Sequence, residues 1–285
     1  MTRRRRDALL GYALLLPSAA VFVAFFFLPL VRLVTMGLHQ QNRTGTAERY
    51  VGWSRFGDVL TGHEFLDGVR ISATFVLYTV PIGVVLGVLL AVAVDRRLRG
   101  IAVFRAIFSS TIASSVAVAS VVFFVLLNPQ IGYFSSIQAF SLSDPDTALR
   151  GVALSAVWQN LGLTFVIVLA GLQAVPDEVQ EAATLDGYGA VRRLFRVTLP
   201  LISPTLAFLA VVLVVFALQA FAQVDILTDG GPLGATETLV FKIFNHQQPV
   251  DQGTGAIMAI GLFGLTLVVT TAQFLLLDRR VHHGR

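Results

Sequence analysis

Six long apolar runs dominate the chain, at residues 9–38, 69–94, 104–127, 152–172, 201–227 and 255–277. A helix needs about 20 apolar residues to cross the hydrocarbon of a bilayer, so each run is long enough. Inside lipid every backbone N–H and C=O must find a partner within the protein, which leaves helices or closed barrels. Barrel strands alternate apolar and polar residues over about ten positions, whereas these runs are longer and uniformly apolar. The expected fold is therefore all-α, an integral membrane bundle of six transmembrane helices forming a single domain over 1–285. Charged residues make up only 13% of the chain, against about 25% in an ordinary soluble domain.

Orientation follows from the arginines. With the N-terminus in the cytoplasm, the inner segments hold Arg3 to Arg6, Arg96, Arg97, Arg99, Arg105, Arg192, Arg193, Arg196, Arg279, Arg280 and Arg285. The outer segments hold Arg43, Arg49, Arg55, Arg70, Arg150 and Lys242, with Arg32 near the outer end of the first span. Fourteen cations against seven fits the positive-inside rule and places both termini in the cytoplasm. The first apolar run is longer than the 7 to 15 residues of a cleaved signal sequence, so it reads as a retained span, with a signal anchor as the alternative. Membrane topology alone accounts for the isoelectric point of about 9.9, and no nucleic acid is implied. The absence of cysteine excludes disulfides and thiolate metal sites.

Several chemistries lack their residues. No G-x-x-x-x-G-K-[ST] occurs, and Lys242 is the only lysine, so this polypeptide carries no P-loop ATPase of its own. The 17 carboxylates lie in loops or at span ends, Asp225 deepest, and no run holds a mid-membrane Asp, Glu or Lys of the kind proton-coupled carriers use. The five histidines lie outside the apolar runs without H-E-x-x-H spacing, and His282 with His283 reads as a solvated tail rather than a metal site. No catalytic triad suggests itself, so the chain reads as non-enzymatic.

The most informative polar stretch separates the fourth and fifth runs, residues 173–200. Pro176 followed by Asp177 and Glu178 signals a helix start, since proline is tolerated at the first turn and acids suit the positive end of the dipole. Val179, Ala182, Ala183 and Leu185 then fall at helical spacing, before Gly187 and Gly189 interrupt. Arg192, Arg193 and Arg196 follow around Leu194 and Phe195, and Leu199, Pro200 and Pro204 mark re-entry into the membrane. A solvated loop helix with interfacial arginines is one reading. A smooth alanine patch shaped for a partner's groove is the other.

Glu181-Ala182-Ala183, Asp186-Gly187, Phe195, Thr198-Leu199-Pro200 and Pro204 resemble the EAA loop of ABC importer permeases, in the form seen in the carbohydrate-uptake family that includes the maltose and glycerol-3-phosphate permeases. The stretch LTDGGPLGATETLVFKIF, Leu227 to Phe244, is similar to the G-G-P…T segment after the fifth span of their first permease subunit, and YVGWSRFGDVL, Tyr50 to Leu60, matches their first extracellular region more weakly. Tyr188 stands where the family usually has a small residue, and Ala73 precedes Thr74 where asparagine is frequent.

The resemblance implies that residues 173–200 hold a coupling helix seated in a cytoplasmic ATPase subunit. Glu181 and Asp186 would contact or cap at that surface, Ala182 and Ala183 would allow close approach, and Gly187 would supply the bend. It implies further a bacterial inner-membrane location and three kinds of partner: a second related permease, two ATPase subunits carrying ATP and Mg, and an extracytoplasmic solute-binding protein. No cofactor is expected in this chain. The segments GATETLVFKIF and QFLLLDRRV resemble most the glycerol-3-phosphate or glycerophosphodiester branch, with a sugar next.

A pathway for polar solutes needs polar groups inside the bundle. Trp158, Gln159 and Asn160 lie within the fourth run, with Asn160 and Thr164 on one helical face; Gln219 and Gln223 share a face of the fifth, with Asp225 beyond. Each is costly in lipid and must meet a cavity or another helix. Together they are the candidate pathway, Trp158 as a stacking surface for a sugar, while any single amide could instead serve an interhelical hydrogen bond. Ser109, Ser110, Thr111, Ser114 and Ser115 read as close-packing residues of the third run, and Pro81 as a kink in the second. No arginine lies at mid-membrane depth to meet a phosphate. An ATP-independent six-span channel or carrier, and a non-transporting scaffold, are the alternative functions.

Overall fold

The computed structural model describes residues 3–42, 45, 48–95, 100–130 and 132–278, with side chains from Gly11 to Leu276. Arg43, Arg96, Arg97, Arg99, Arg279, Arg280, Arg285, His282 and His283 lie outside the described residues, as do the side chains of Arg3 to Arg6. The chain divides into two compact units, residues 1–66 with 242–264 and residues 67–241 with 265–285.

In the first unit, α1 (Arg3–Phe22), a π-helical turn (Val23–Phe27) and α2 (Leu28–Leu38) run on as one helix. Its segment Gly11–Leu38 is long and apolar enough to cross a membrane. Two short strands follow, β1 (His39–Gln41) and β2 (Glu48–Tyr50), paired antiparallel with His39 opposite Tyr50. No alternation in these residues is strong enough to foresee this ribbon. Helix α3 (Ser54–Leu60) supplies Arg55, whose guanidinium donates to the His39 carbonyl at 3.2 Å and to Thr254 Oγ1 at 3.1 Å. A Cβ on Gly37 would lie 2.8 Å from Ile257 and 2.9 Å from Phe56, so the helices meet there only because the residue has no side chain.

Helix α4 (His63–Val94) continues through Pro81 and leads into the second unit. The expected third span is not one rod. Helix α5 (Ile101–Ser109) passes through a 3-10 turn (Ser110–Ala113) and breaks, and α6 (Val116–Leu127) leaves at 103° to it. Ser115 caps the new start, its Oγ accepting from the Val118 N–H at 3.2 Å. Thr111 Oγ1 accepts from the Gly162 N–H at 2.8 Å. The hydroxyl run thus serves a break and a cap as well as close packing, because a helix that stops inside the bundle must satisfy its freed amides.

Helix α7 (Ala148–Gln173) is the centre of this unit, with 56% of its most apolar window buried against 33% for α4. Glycines let its neighbours approach: a Cβ on Gly87 of α4 would sit 2.1 Å from Thr164 Cγ2 of α7. Phe75, Phe165, Val168, Leu209 and Val224 form the packed core.

After α7 come α8 (Asp177–Leu185), α9 (Ala190–Arg193), a π-helical turn (Leu194–Thr198), α10 (Leu199–Leu201) and α11 (Ser203–Leu218). The expected fifth span, 201–227, is corrected at both ends. The apolar helix pair begins at Ala190, bends by 70° at Ile202, and stops at Leu218. Residues 219–221 are not helical, and α12 (Ala222–Thr228) is a separate short helix. The chain closes with α13 (Leu239–Asn245) and α14 (Gln252–Asp278). Among the described residues four helices are thus long and apolar enough to cross a membrane, or up to six if each bent pair is one span.

Candidate functional site

The break between α11 and α12 opens a cavity of about 520 Å³ within the second unit. Gln219 and Gln223 reach it from the break and from α12, and Gln159 and Asn160 from α7, so four of the polar residues singled out by sequence meet at one place. Phe75, Thr79 and Gly83 of α4, Val116 of α6, Phe216 of α11 and Phe221 complete much of the wall. The aromatic residues and Thr79 carried no signal in the sequence, where they look like any other apolar-run residue. Only the fold turns them to the same space.

The break is held open by partners far away in the chain. Thr238 Oγ1 donates to the Ala220 carbonyl at 3.1 Å, and the Leu239 N–H donates to Ser72 Oγ at 2.9 Å. Both bonds are buried; the first occupies a carbonyl freed at the break, and the second an amide at the start of α13. The loop between α12 and α13 is fixed likewise, Thr236 Oγ1 donating to the Gly231 carbonyl at 2.9 Å and lying 2.8 Å from Thr228 Oγ1. The G-G-P…T motif therefore acts here as a tied loop that supports the cavity wall.

Asn160 Nδ2 donates to the Ala156 carbonyl at 2.9 Å, leaving its oxygen for the cavity. Among the described residues Gln159, Gln219 and Gln223 have no side-chain hydrogen-bond partner, and Gln223 is only 6% exposed. Two expected pathway residues lie elsewhere. The Trp158 ring, partly buried, packs on Phe123 at 5.7 Å between centroids, against the packed core. Asp225, one helical turn past Ala222, lines a second cavity of about 520 Å³ together with Asn128, Ser143 and Asp229.

The segment 173–200 folds as its residues suggest. Asp177 opens α8 after Pro176, and the helix closes at Asp186 with Gly187 at φ +78°. The Gly187 N–H donates to the Thr184 carbonyl and the Tyr188 N–H to the Ala183 carbonyl, both at 3.0 Å, a Schellman ending that needs a left-handed residue at this point. Glu181, Ala182 and Asp186 are exposed, and Leu185 is 89% exposed, whereas Ala183 is buried within the chain. Helix α8 is held from beneath by Gln180 Nε2, which donates to Thr198 Oγ1 at 3.2 Å, and by Arg193, which donates to Thr184 Oγ1 at 2.6 Å. Arg192 stacks over the Tyr188 ring at 4.7 Å, giving that bulky residue a place in the turn.

Behind α8 a cavity of about 650 Å³ is lined by Asp95, Arg105, Asp177 and Arg193, among others. Burial raises the Asp95 pKa above the usual carboxylate value, the Arg105 charge lowers it, and the Asp177 charge raises it again. Among the described residues no group of His, Asp and Glu is arranged to hold a metal ion.

Residues 83–283 match the family of binding-protein-dependent transport system inner membrane components. The chain belongs to this family. It is a multi-pass ABC importer permease, as its EAA-like segment suggested. The sn-glycerol-3-phosphate transport system permease protein UgpA of Agrobacterium fabrum (strain C58 / ATCC 33970) is 32% identical over 98% of both chains. Its namesakes from Rhizobium meliloti (strain 1021), 30% identical over 98% of both chains, and Yersinia enterocolitica (serotype O:8 / biotype 1B, strain NCTC 13174 / 8081), 32% identical over 96% of both, are similar as well. Two solved structures share the fold. One, a bacterial ABC transporter involved in import of the acidic polysaccharide alginate, has a TM-score of 0.79 at 20% identity, covering 96% of each chain. The other, a bacterial alginate ABC transporter in complex with an alginate pentasaccharide-bound periplasmic protein, has a TM-score of 0.81 at 21% identity, covering 99% of this chain and 98% of that one.

Proposed function

We propose that the chain is one of two permease subunits of a bacterial ABC importer and lines half of a translocation pathway for a sugar or a glycerol-3-phosphate-type solute. The observation that carries this reading is the convergence of Gln159, Asn160, Gln219 and Gln223 on one cavity at a helix break, in a chain of this permease family. Unpartnered amides are costly inside a membrane protein unless water or a solute meets them, so a cavity that gathers them has a use.

In this reading residues 1–285 act as one permease domain that crosses the inner membrane six times, the bent pairs each counting as a span, with both termini cytoplasmic. Helix α8 is the coupling helix. Its exposed Glu181, Ala182 and Asp186 meet a separate ATPase subunit, Ala183 seats the helix on its own bundle, and Gly187 sets the turn that hands its motion to α9–α11. ATP and Mg act on that partner, and a solute-binding protein delivers the substrate from outside, as the alginate transporter's periplasmic protein accompanies that structure. A second, related permease completes the pathway.

The test is purification of the membrane complex through this subunit, followed by ATP-dependent uptake in proteoliposomes. Copurified ATPase subunits and uptake that needs ATP are the expected result. A complex without ATPase subunits, with solute flux that ignores ATP, would instead establish a channel or carrier, and a complex with neither flux nor ATPase would establish a scaffold.

A further inference from the structure

We infer that the helix running from Ala190 to Leu201 lies on the inner surface of the bilayer and binds anionic phospholipid headgroups, an inference that rests on the proposed orientation and on the proposed coupling role of α8. The segment is continuous through α9, the π-helical turn and α10, and it meets α11 at a bend of 70°. With α11 crossing the membrane, a helix bent so far from it runs much closer to the membrane plane than to the normal. Its place directly before the span sets it at the level of the headgroups.

Two stripes run along its outer face. Val191 and Phe195, four residues apart, are 71% and 64% exposed. Arg192 and Arg196, one position on and also four apart, are exposed beside them. Residues four apart are neighbours on a helix, so the apolar and basic stripes lie side by side. The opposite face is seated on the protein: Thr198 is buried and accepts from Gln180, while Leu194 and Val197 are half-buried. A helix with one seated face, an exposed aromatic and an arginine stripe has the make-up of one that lies in a bilayer surface, its ring among acyl chains and its guanidiniums on phosphates.

Charge decides between lipid and the ATPase subunit as the occupant. Asp177, Glu178, Glu181 and Asp186 are exposed acids of α8 and its C-terminal cap, and residues 177–186 contain no base. From 187 to 224 the sign reverses, with Arg192, Arg193 and Arg196 and no Asp or Glu. Two neighbouring helices of opposite sign do not suit one surface. If α8 meets the ATPase, the arginine stripe requires a different, anionic surface, and the membrane is the one at which α11 begins. Arg193 is engaged inside the protein by Thr184 and Arg192 leans on the Tyr188 ring, but Arg196 has no hydrogen-bond or ion-pair partner among the described residues. A free phosphate would engage the arginines and leave Val191 and Phe195 in water. A lipid, with headgroup and chains together, meets both stripes.

The test uses the whole complex, purified through this subunit and placed in nanodiscs of phosphatidylcholine with and without phosphatidylglycerol. A bimane probe on Val191→Cys or, separately, on Phe195→Cys reports lipid contact through quenching by phospholipid spin-labelled near the top of its acyl chain, with the complex lacking an introduced cysteine as background. A probe on Leu185→Cys, 89% exposed on α8, is the comparison. With phosphatidylglycerol present, lipid quenching should be roughly threefold stronger at 191 and 195 than at 185. It should fall about twofold in phosphatidylcholine alone, or when Arg192→Gln and Arg196→Gln are combined. Quenching by aqueous iodide and not by lipid would mean that water covers the stripes, and shielding from both would mean that a protein does. Either outcome overturns the inference, as does lipid quenching indifferent to phosphatidylglycerol and to the two arginines. Two labelled positions keep the measurement independent of the assembly of one variant. The importer reading fails separately, by absence of ATPase subunits from the purified complex, and quenching is read in the same discs with or without them.

Discussion

Gly187 is a residue whose identity is set by backbone angle and not by space: it sits at φ +78°, and a Cβ there would meet nothing within 4 Å. Gly187→Ala should therefore cost about 1 kcal/mol through the left-handed conformation alone. Faster hydrogen exchange of the Tyr188 amide and reduced ATP-driven uptake are expected, whereas Gly189→Ala, at φ −65° and equally uncrowded, should change neither. Asp95 makes a prediction in pH. Its pKa is raised by burial, so the folded state favours the protonated form; the stability this gives is complete below the ordinary value of 3.8 and fades as pH rises through the higher folded value. Melting of the solubilised protein at stepped pH should show that decline, and Asp95→Asn should flatten it. The residues of the cavity at the α11–α12 break were legible only in part. Gln159, Asn160, Gln219 and Gln223 stood out because an amide in an apolar run needs an explanation, while Phe75 and Thr79 needed none and went unnoticed.

Elements in this chain are decided by what their neighbours allow. Helices α4 and α7 touch at Gly87, where a methyl group would fall 2.1 Å from Thr164 Cγ2, yet at Gly83, one turn earlier, the nearest atom is 3.7 Å away. Gly87→Ala should destabilise by roughly 1–3 kcal/mol, the usual cost of overpacking, and Gly83→Ala should be tolerated; detergent thermal melts separate them. The α11–α12 break depends on Thr238 in the same way. Thr238→Val removes the buried donor to the Ala220 carbonyl, and leaving that oxygen unpaired should cost about 1–3 kcal/mol. The same melting experiment reads this loss, and the cavity amides would lose their alignment with it.

At the scale of the whole molecule the topology is open to direct measurement, because the chain has no cysteine and any introduced one is unique. Ser143→Cys and Leu185→Cys should react with an impermeant maleimide from opposite sides of the membrane, Ser143→Cys from outside and Leu185→Cys only after the inner face is opened. Labelling of both from one side would refute the six-span topology.

The sequence by itself determined that this chain crosses a membrane as helices, and how α8 starts and stops, because those outcomes depend on local hydropathy, proline and glycine. Only the tertiary structure decided where the third and fifth runs break, that Trp158 packs on Phe123, and that Asp225 faces a different cavity from Gln223. A helix can stop inside a bundle only if a distant group takes over its backbone bonds. Thr238 lies 18 residues from Ala220, and Ser72 lies 167 from Leu239, separations at which no local pattern carries the information.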